Sequence, residues 1–288
     1  MRDDLGARMK DYYEQIPKIR LMRRTPVIVR VDGKAFHTFT KGFVKPFDEV
    51  LMKSMQETAK SLCENVMNCR LAYVQSDEIS LLLIDYESVG SQAFFDYEIQ
   101  KICSITASAA TLAFNSAFRK NAEACAEQMS SKEADPNPAD GRFSIPTDSE
   151  SRRKYEAVLR RAAEKGAMFD SRAFNVPKEE AANYFYWRQL DAARNSVQMV
   201  GHANFTQKEL HGKSCSDIQD MLHEMRGINW NDFPAYQKRG ACCVRTEKKV
   251  SFEGREIVRH EWTIDREIPM FKGEGREYVE RFVFVGND

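Results

Sequence analysis

The chain has 288 residues, 42% of them hydrophobic, enough for a substantial core in one domain or one domain with appendages. Lys+Arg and Asp+Glu both number 43, so a polyanion partner would have to be met by local clusters: KIRLMRR at 18–24, RRK at 152–154 or RTEKK at 245–249. Each of these, taken alone, also reads as a solvated charged face. The seven cysteines contain no CxxC and the five histidines no zinc-like spacing, which excludes a disulfide scaffold or zinc module and suits a reducing cytosol. No apolar run approaches the roughly 20 residues that span a bilayer, and MRDDLGARMKDYYEQ lacks a signal-peptide core. The expected setting is cytoplasmic, with no membrane partner.

Residues 3–22 read as a helix with Leu5, Met9, Tyr12, Tyr13 and Ile16 on one face. VIVRV after Pro26 is β-branched and reads as a strand. A loop punctuated by Gly42 and Pro46 leads to a helix over 48–66. Strands are expected at roughly 69–75 and 79–85, then a long helix over 91–129 with Phe94, Phe95, Ile99, Ile102, Ile105, Ala109 and Leu112 as its apolar face. The order β-α-β-β-α, closed by a strand near AFNVP at 173–177, is that of a ferredoxin-like split unit, and the fold class is α+β. Residues 119–165 read as an inserted, charged surface segment, its 130–166 part opening on a Pro/Asp/Ser-rich loop, between a first core portion (1–118) and a second (166–288). The second portion carries helices at 178–206 and 216–226 and a β-rich tail around the turn FEGRE.

This topology sets the end of the first strand beside the hairpin between the second and third, so Asp32 meets Asp77 and Glu78. Buried acids are costly unless something cationic pairs with them. Either these strand ends reach solvent, or the acids hold a hard cation such as Mg²⁺, two of which can orient an attacking oxygen and stabilise a leaving phosphate oxygen. Gly33 would then let the backbone carbonyl approach an ion, although a strand-end Asp-Gly turn is common without one. Triphosphates need further cations: Arg30, Lys45 and Lys101 are the candidates, Lys101 reading equally as a snorkelling helix lysine.

RVDGKAFHTFTKGFVKPFD, YVQSDEISLLL, MFDSRAF and YWRQLDAARN, in this order, resemble the tRNA-histidine guanylyltransferase family, over most of 20–240. The N-terminal DDLGARMKDYYE and the LMRRTPVIVRVDG junction look closest to its bacterial and phage guanylyltransferase-like members. The resemblance implies a polymerase-palm core, two Mg²⁺ ions, ATP, GTP and other NTPs as substrates, tRNA as partner and a homotetramer. It implies growth of the 5′ end in the 3′→5′ direction: ATP adenylylates a 5′-monophosphate, the 3′-hydroxyl of an incoming NTP attacks that end, and AMP leaves. It matches Asp32, Gly33 and Asp77 to metal ligands and Glu78 to a supporting catalytic acid. Arg30, Lys34, His37, Lys45, Ser76 and Lys101 fall to the nucleotide, and Arg172, Arg188 and Asn195 to RNA. His37 reads equally as a hydrogen-bonded loop residue.

Eukaryotic members follow WRQ-x-D with His-Ile-Asn-Asn-Leu-Tyr-Asn. Here AARNSVQM at 192–199 keeps only Asn195 of the central pair and has Ala193 in place of the histidine. A methyl group cannot hydrogen-bond a base, which turns the expectation toward templated repair of missing 5′ nucleotides and away from dedicated anticodon reading. Addition of the extra 5′ G to tRNA-histidine, a palm-type nucleotidyl cyclase and a non-catalytic tRNA-binding protein are the alternatives.

Overall fold

A computed structural model describes residues 4–131, 143–252 and 255–286. Strands β1 (Val27–Gly33), β2 (Cys69–Gln75), β3 (Glu78–Leu83), β4 (Phe169–Asn175), β5 (Ala241–Phe252) and β6 (Arg255–Asp265) form one antiparallel sheet in the order β4-β1-β3-β2-β5-β6. Helices α1 (Asp4–Met9), α2 (Phe36–Phe39), α3 (Glu49–Asn65), α4 (Ile99–Ser130), α5 (Ser149–Lys165), α6 (Lys178–Asn204), α7 (Gln207–Leu210), α8 (Cys215–Arg226), α9 (Ala235–Arg239) and α10 (Glu277–Val283) complete it. The succession β1-α3-β2-β3-α4-β4 with order 4-1-3-2 is the split βαβ arrangement of a polymerase palm, extended at one edge by the β5–β6 hairpin.

Period-2 alternation divides the strands between two cores. Val27, Val29 and Val31 with Ile79, Leu81 and Leu83 face α3 and α4, where Phe36, Phe39, Phe114 and Phe118 fill the space. Ile28, Tyr73 and Leu82 face α6 and α10. On that second face the polar residues Arg30, Asp32, Glu78 and Ser80 follow as the strands near one end of the sheet. A third small cluster, Val197, Val200, Ile218 and Leu222, fastens α8 to the end of α6. Among the described residues no helix is long and apolar enough to cross a membrane.

Three expectations shift. The N-terminal helix stops at Met9, with one wider turn to Glu14, and Leu5, Met9, Tyr12, Tyr13 and Ile16 are exposed. Pro17 cannot continue a helix. Instead Ile19 and Leu21 bond as extended chain to Ile99 and Tyr97. The long helix starts at Ile99 rather than 91, because Phe95, Asp96 and Tyr97 all adopt positive φ. Its buried stripe is Ile102, Thr106, Ala110, Phe114 and Phe118, while Ile105 and Leu112 face solvent. The 119–165 stretch is charged outside and apolar inside: Ala122, Cys125, Met129, Phe143, Tyr155, Leu159 and Ala162 all belong to the main core. The expected Pro/Asp-rich loop over 132–142 and the centre of the FEGRE turn lie outside the described residues.

Candidate active site

β2 and β3 join through a two-residue turn, Gln75 facing Glu78. Ser76 occupies its first position at φ 48°, a left-handed conformation that costs a non-glycine residue on the order of 1–2 kcal/mol. Strain of this kind persists where the surroundings over-determine it, often at functional sites. The turn lifts Asp77 out of the strand and holds it through Ser76 Oγ, which donates to Asp77 Oδ1 at 3.0 Å. Gly33 N donates to the Asp77 carbonyl at 3.1 Å, stitching the end of β1 to the turn. On the other side Lys34 N donates to the Met168 carbonyl at 2.8 Å, tying the same end of β1 to the start of β4.

Gly33 has a packing reason to be glycine: a Cβ there would collide with the Phe36 ring that plugs the core beneath it. The sequence offered two other reasons, close approach to an ion and an ordinary strand-end turn.

Register places three acids in a row across the sheet end, Asp32 opposite Glu78 on β3 and opposite Asp170 on β4. Like charges directly opposite one another repel. Two of the three are neutralised. Glu78 is 6% exposed and receives Arg188 Nε on Oε1 and Nη2 on Oε2, both at 2.8 Å. Arg188 also donates to Asp191 Oδ2 at 2.9 Å and lies over the Trp187 ring at 4.4 Å. Asp170 pairs with Arg172 at 2.9 Å. Asp32 and Asp77 have no ion pair among the described residues. Burial pushes the Asp77 carboxyl above its ordinary range; the Ser76 hydroxyl pulls it back in part, and the charge on Asp32 adds to the rise. Burial likewise raises Glu78, against the pull of Arg188.

These two uncompensated acids fit a hard cation, and their donor set is all oxygen. No group of three or more His, Cys, Asp or Glu side chains converges on a metal position among the described residues, so any ion here would need donors from solvent or a phosphate.

Gly33, Ser76 and Asp77 form one wall of a cleft of about 780 Å³. Across it stand His37 on α2, Lys45 in the loop before α3, and Met199, His202 and Gln207 at the end of α6 and start of α7. Lys45 is exposed and makes no ion pair among the described residues. Asp48, Met199, His202 and Gln207 were missed in the sequence. Asp48 could have been found as the N-cap of α3, where it accepts from Leu51 N at 3.0 Å, but α6 gives no local sign that its end returns to the acids.

The remaining expected residues divide. Asn195 lines a smaller adjoining cleft with Gln75, Ser76 and Tyr236. Arg30 sits between Ser80 and Arg172 in register, and its Nε is buried without a hydrogen-bond partner among the described residues. Arg188, expected at RNA, is spent on Glu78 and Asp191 with its side chain 8% exposed. Lys101 does not join the acids: it lines a separate cleft with Arg20, Arg23 and Glu98. α4 packs Thr106 against Ser171 and brings Thr111 to Phe169, next to Gly33, so its first turn points toward the other end of β4.

Comparison with known proteins agrees with this geometry. The family model described as tRNAHis guanylyltransferase matches residues 6–177. A bacterial tRNA(His) guanylyltransferase (Thg1)-like protein, solved in complex with ATP, superposes with a TM-score of 0.75 at 39% identity over 98% of this chain and 100% of that one. A second such structure, in complex with GTP, gives 0.72 at 38% identity with the same coverage. The tRNA(His) guanylyltransferase of Debaryomyces hansenii is 27% identical over 254 residues, 84% of this chain and 81% of that protein. With the palm sheet in place and the family model matching more than half of the residues, the chain belongs to the tRNA(His) guanylyltransferase family of nucleotidyltransferases.

Proposed function

We propose that this chain adds nucleotides to the 5′ end of tRNA in the 3′→5′ direction, copying the 3′ strand of the acceptor stem to restore missing 5′ residues. The observation that carries the reading is Asp77, without an ion pair among the described residues in the wall of a cleft that also holds Lys45, its carboxyl feeling the charge of an equally unpaired Asp32 at the end of β1, while neighbouring Glu78 and Asp170 each own an arginine. Of the two similar bacterial structures one is in complex with ATP and the other with GTP, which supports a site that takes an activating ATP and an incoming NTP.

Asp32, Asp77 and the Gly33 carbonyl are the groups that would hold Mg²⁺. When bound, Mg²⁺ would neutralise triphosphate charge and polarise the attacking and leaving oxygens. Lys45 supplies a fixed positive charge to the phosphates, and Ser76 keeps the Asp77 carboxylate turned toward the cleft. In the activation step a 5′-phosphate oxygen attacks the α-phosphorus of ATP and pyrophosphate leaves. In the addition step the 3′-hydroxyl of the incoming NTP attacks the 5′-phosphate, gives up its proton and displaces AMP.

Base pairing, rather than a protein contact, would choose the nucleotide. The loss of the His-Ile-Asn-Asn run at 192–199 supports that choice over tRNA-histidine recognition of the eukaryotic kind. Assembly of copies, a homotetramer by family resemblance, is part of the same reading and is supported by the exposed Leu5, Tyr12, Tyr13 and Ile16 of the N-terminal segment, a patch that a second copy would cover. A cytoplasmic site of action completes it.

The test uses tRNA transcripts lacking their first nucleotide, with a 5′-monophosphate or 5′-triphosphate, given Mg²⁺, ATP and one labelled NTP at a time. Extension only by the nucleotide complementary to the 3′ partner supports repair. Addition of G alone, and only to full-length tRNA-histidine, replaces it with the guanylyltransferase activity that the family model describes.

A further inference from the structure

We infer that Tyr155, on α5, is a positioning residue for the nucleotide cleft, acting through Asp48 on the loop that carries Lys45; this rests on the reading of that cleft as the nucleotide site. Helix α5 touches residues 41–48 at three points. Tyr155 Oη donates to Asp48 Oδ2 at 2.7 Å, and Arg161 Nη2 donates to the Lys41 carbonyl at 2.6 Å. Between them Val158 lies against Gly42, where φ is +90° and an added Cβ would come within 3.0 Å of Val158 Cγ2. Residues 155, 158 and 161 are spaced by three, so one face of α5 makes all three contacts.

Asp48 is the junction. It is 4% exposed, as is Tyr155. Its Oδ2 also accepts from Val44 N at 3.0 Å, and its Oδ1 from Leu51 N at 3.0 Å. One carboxylate thus ties together the residue before Lys45, the first turn of α3, and α5. Burial works against that carboxylate, and the backbone and phenol bonds offset it, so losing the phenol leaves a buried acid short of a donor. The loop is then freer to place Lys45 wrongly, and a displacement of about 1 Å in a phosphate-binding group can cost on the order of 10²-fold. A helix that sequence alone reads as a surface insertion becomes the brace of the triphosphate loop.

The experiment compares wild type with Tyr155→Phe in NTP titrations of 5′ extension and in equilibrium binding of Mg·ATP to the full chain. Tyr86→Phe is the control for loss of a buried phenol hydrogen bond, since Tyr86 Oη donates to the Val283 carbonyl at 2.8 Å on the opposite core. The expected result is an increase of about tenfold in NTP KM and in Mg·ATP Kd for Tyr155→Phe, with kcat within about threefold, and no change in either constant for Tyr86→Phe. Unchanged KM and Kd in Tyr155→Phe, or equal rises in both variants, would overturn the proposal. Should Tyr155→Phe not fold, Arg161→Ala, which removes an exposed contact, carries the same test with an expected rise of about threefold. Wild type that binds Mg·ATP but extends no tRNA defeats the proposed function and leaves Tyr155 decided by the binding arm. Wild type that binds no Mg·ATP defeats both.

Discussion

Glu78 and Arg188 form a buried bidentate ion pair that fastens helix α6 to the end of the sheet that carries Asp32 and Asp77. The two residues lie 110 positions apart, in the stretches QSDE and WRQLD, which the pair brings together in space. Glu78 therefore holds in place the helix that carries Asn195, Met199 and His202 to the two clefts. Removing one partner strands a buried charge, at a cost of about 3–5 kcal/mol. Glu78→Ala and Arg188→Ala are each expected to lose about that much in urea unfolding, and the double variant clearly less than their sum. Additive losses would mean the pair is not coupled.

Asp77→Asn is expected to abolish nucleotide addition while making the metal-free protein more stable. The wild-type carboxyl is disfavoured by burial and by Asp32, and an amide removes that cost. A gain of about 1 kcal/mol would raise Tm by about 2 °C in a chain of this size. Mg²⁺ should raise the Tm of wild type and leave the variant unmoved. Differential scanning fluorimetry with EDTA and with Mg²⁺ reads both effects, and a Mg²⁺ shift that persists in the variant would remove Asp77 from the metal site.

The same carboxyl gives a pH dependence with a definite sign. Asp77 holds its proton to higher pH when folded than when unfolded. Between those two values the folded state binds more protons, so the stability linked to Asp77 falls as pH rises through that window and stays lost above it. In EDTA the Tm advantage of Asp77→Asn over wild type should grow from about pH 4 upward and then level off. Subtracting the two curves cancels Asp48, which burial also raises. An advantage that shrinks with rising pH would reverse the assignment.

What could be read in the sequence follows from how local each signal is. β-branched VIVRV and the alternation of YVQSDEISLLL specify strands by themselves, and the β-α-β-β-α order then places Asp32 beside Asp77. Long-range partners left no local trace. Arg188 reads as a helix arginine until the fold sets it against Glu78, and Tyr155 reads as one aromatic in a charged helix until it meets Asp48. Lys101 differs in the other direction: the family resemblance assigns it to the nucleotide, but three consecutive positive-φ residues before α4 end the preceding turn and start the helix at the far end of the sheet, in a different cleft.

That separation of Lys45 from Lys101 can be measured. Lys45 opens into the cleft of Asp77 with no carboxylate partner among the described residues, whereas Lys101 lies 3.9 Å from Glu98 in another cleft beside Arg20 and Arg23, both held by Asp96. A single charge-assisted bond to phosphate is worth about 1.5–3 kcal/mol, or roughly ten- to hundredfold in affinity. Lys45→Ala is therefore expected to raise the Kd of Mg·ATP by about that factor. Lys101→Ala should leave it within about twofold, because the ammonium it removes is in a different cleft and already faces an acid. Equilibrium titration of free protein makes the comparison without tRNA. If Lys101→Ala weakened Mg·ATP as much as Lys45→Ala, the nucleotide would have to reach both clefts, and the division of cations drawn from the sheet topology would fall.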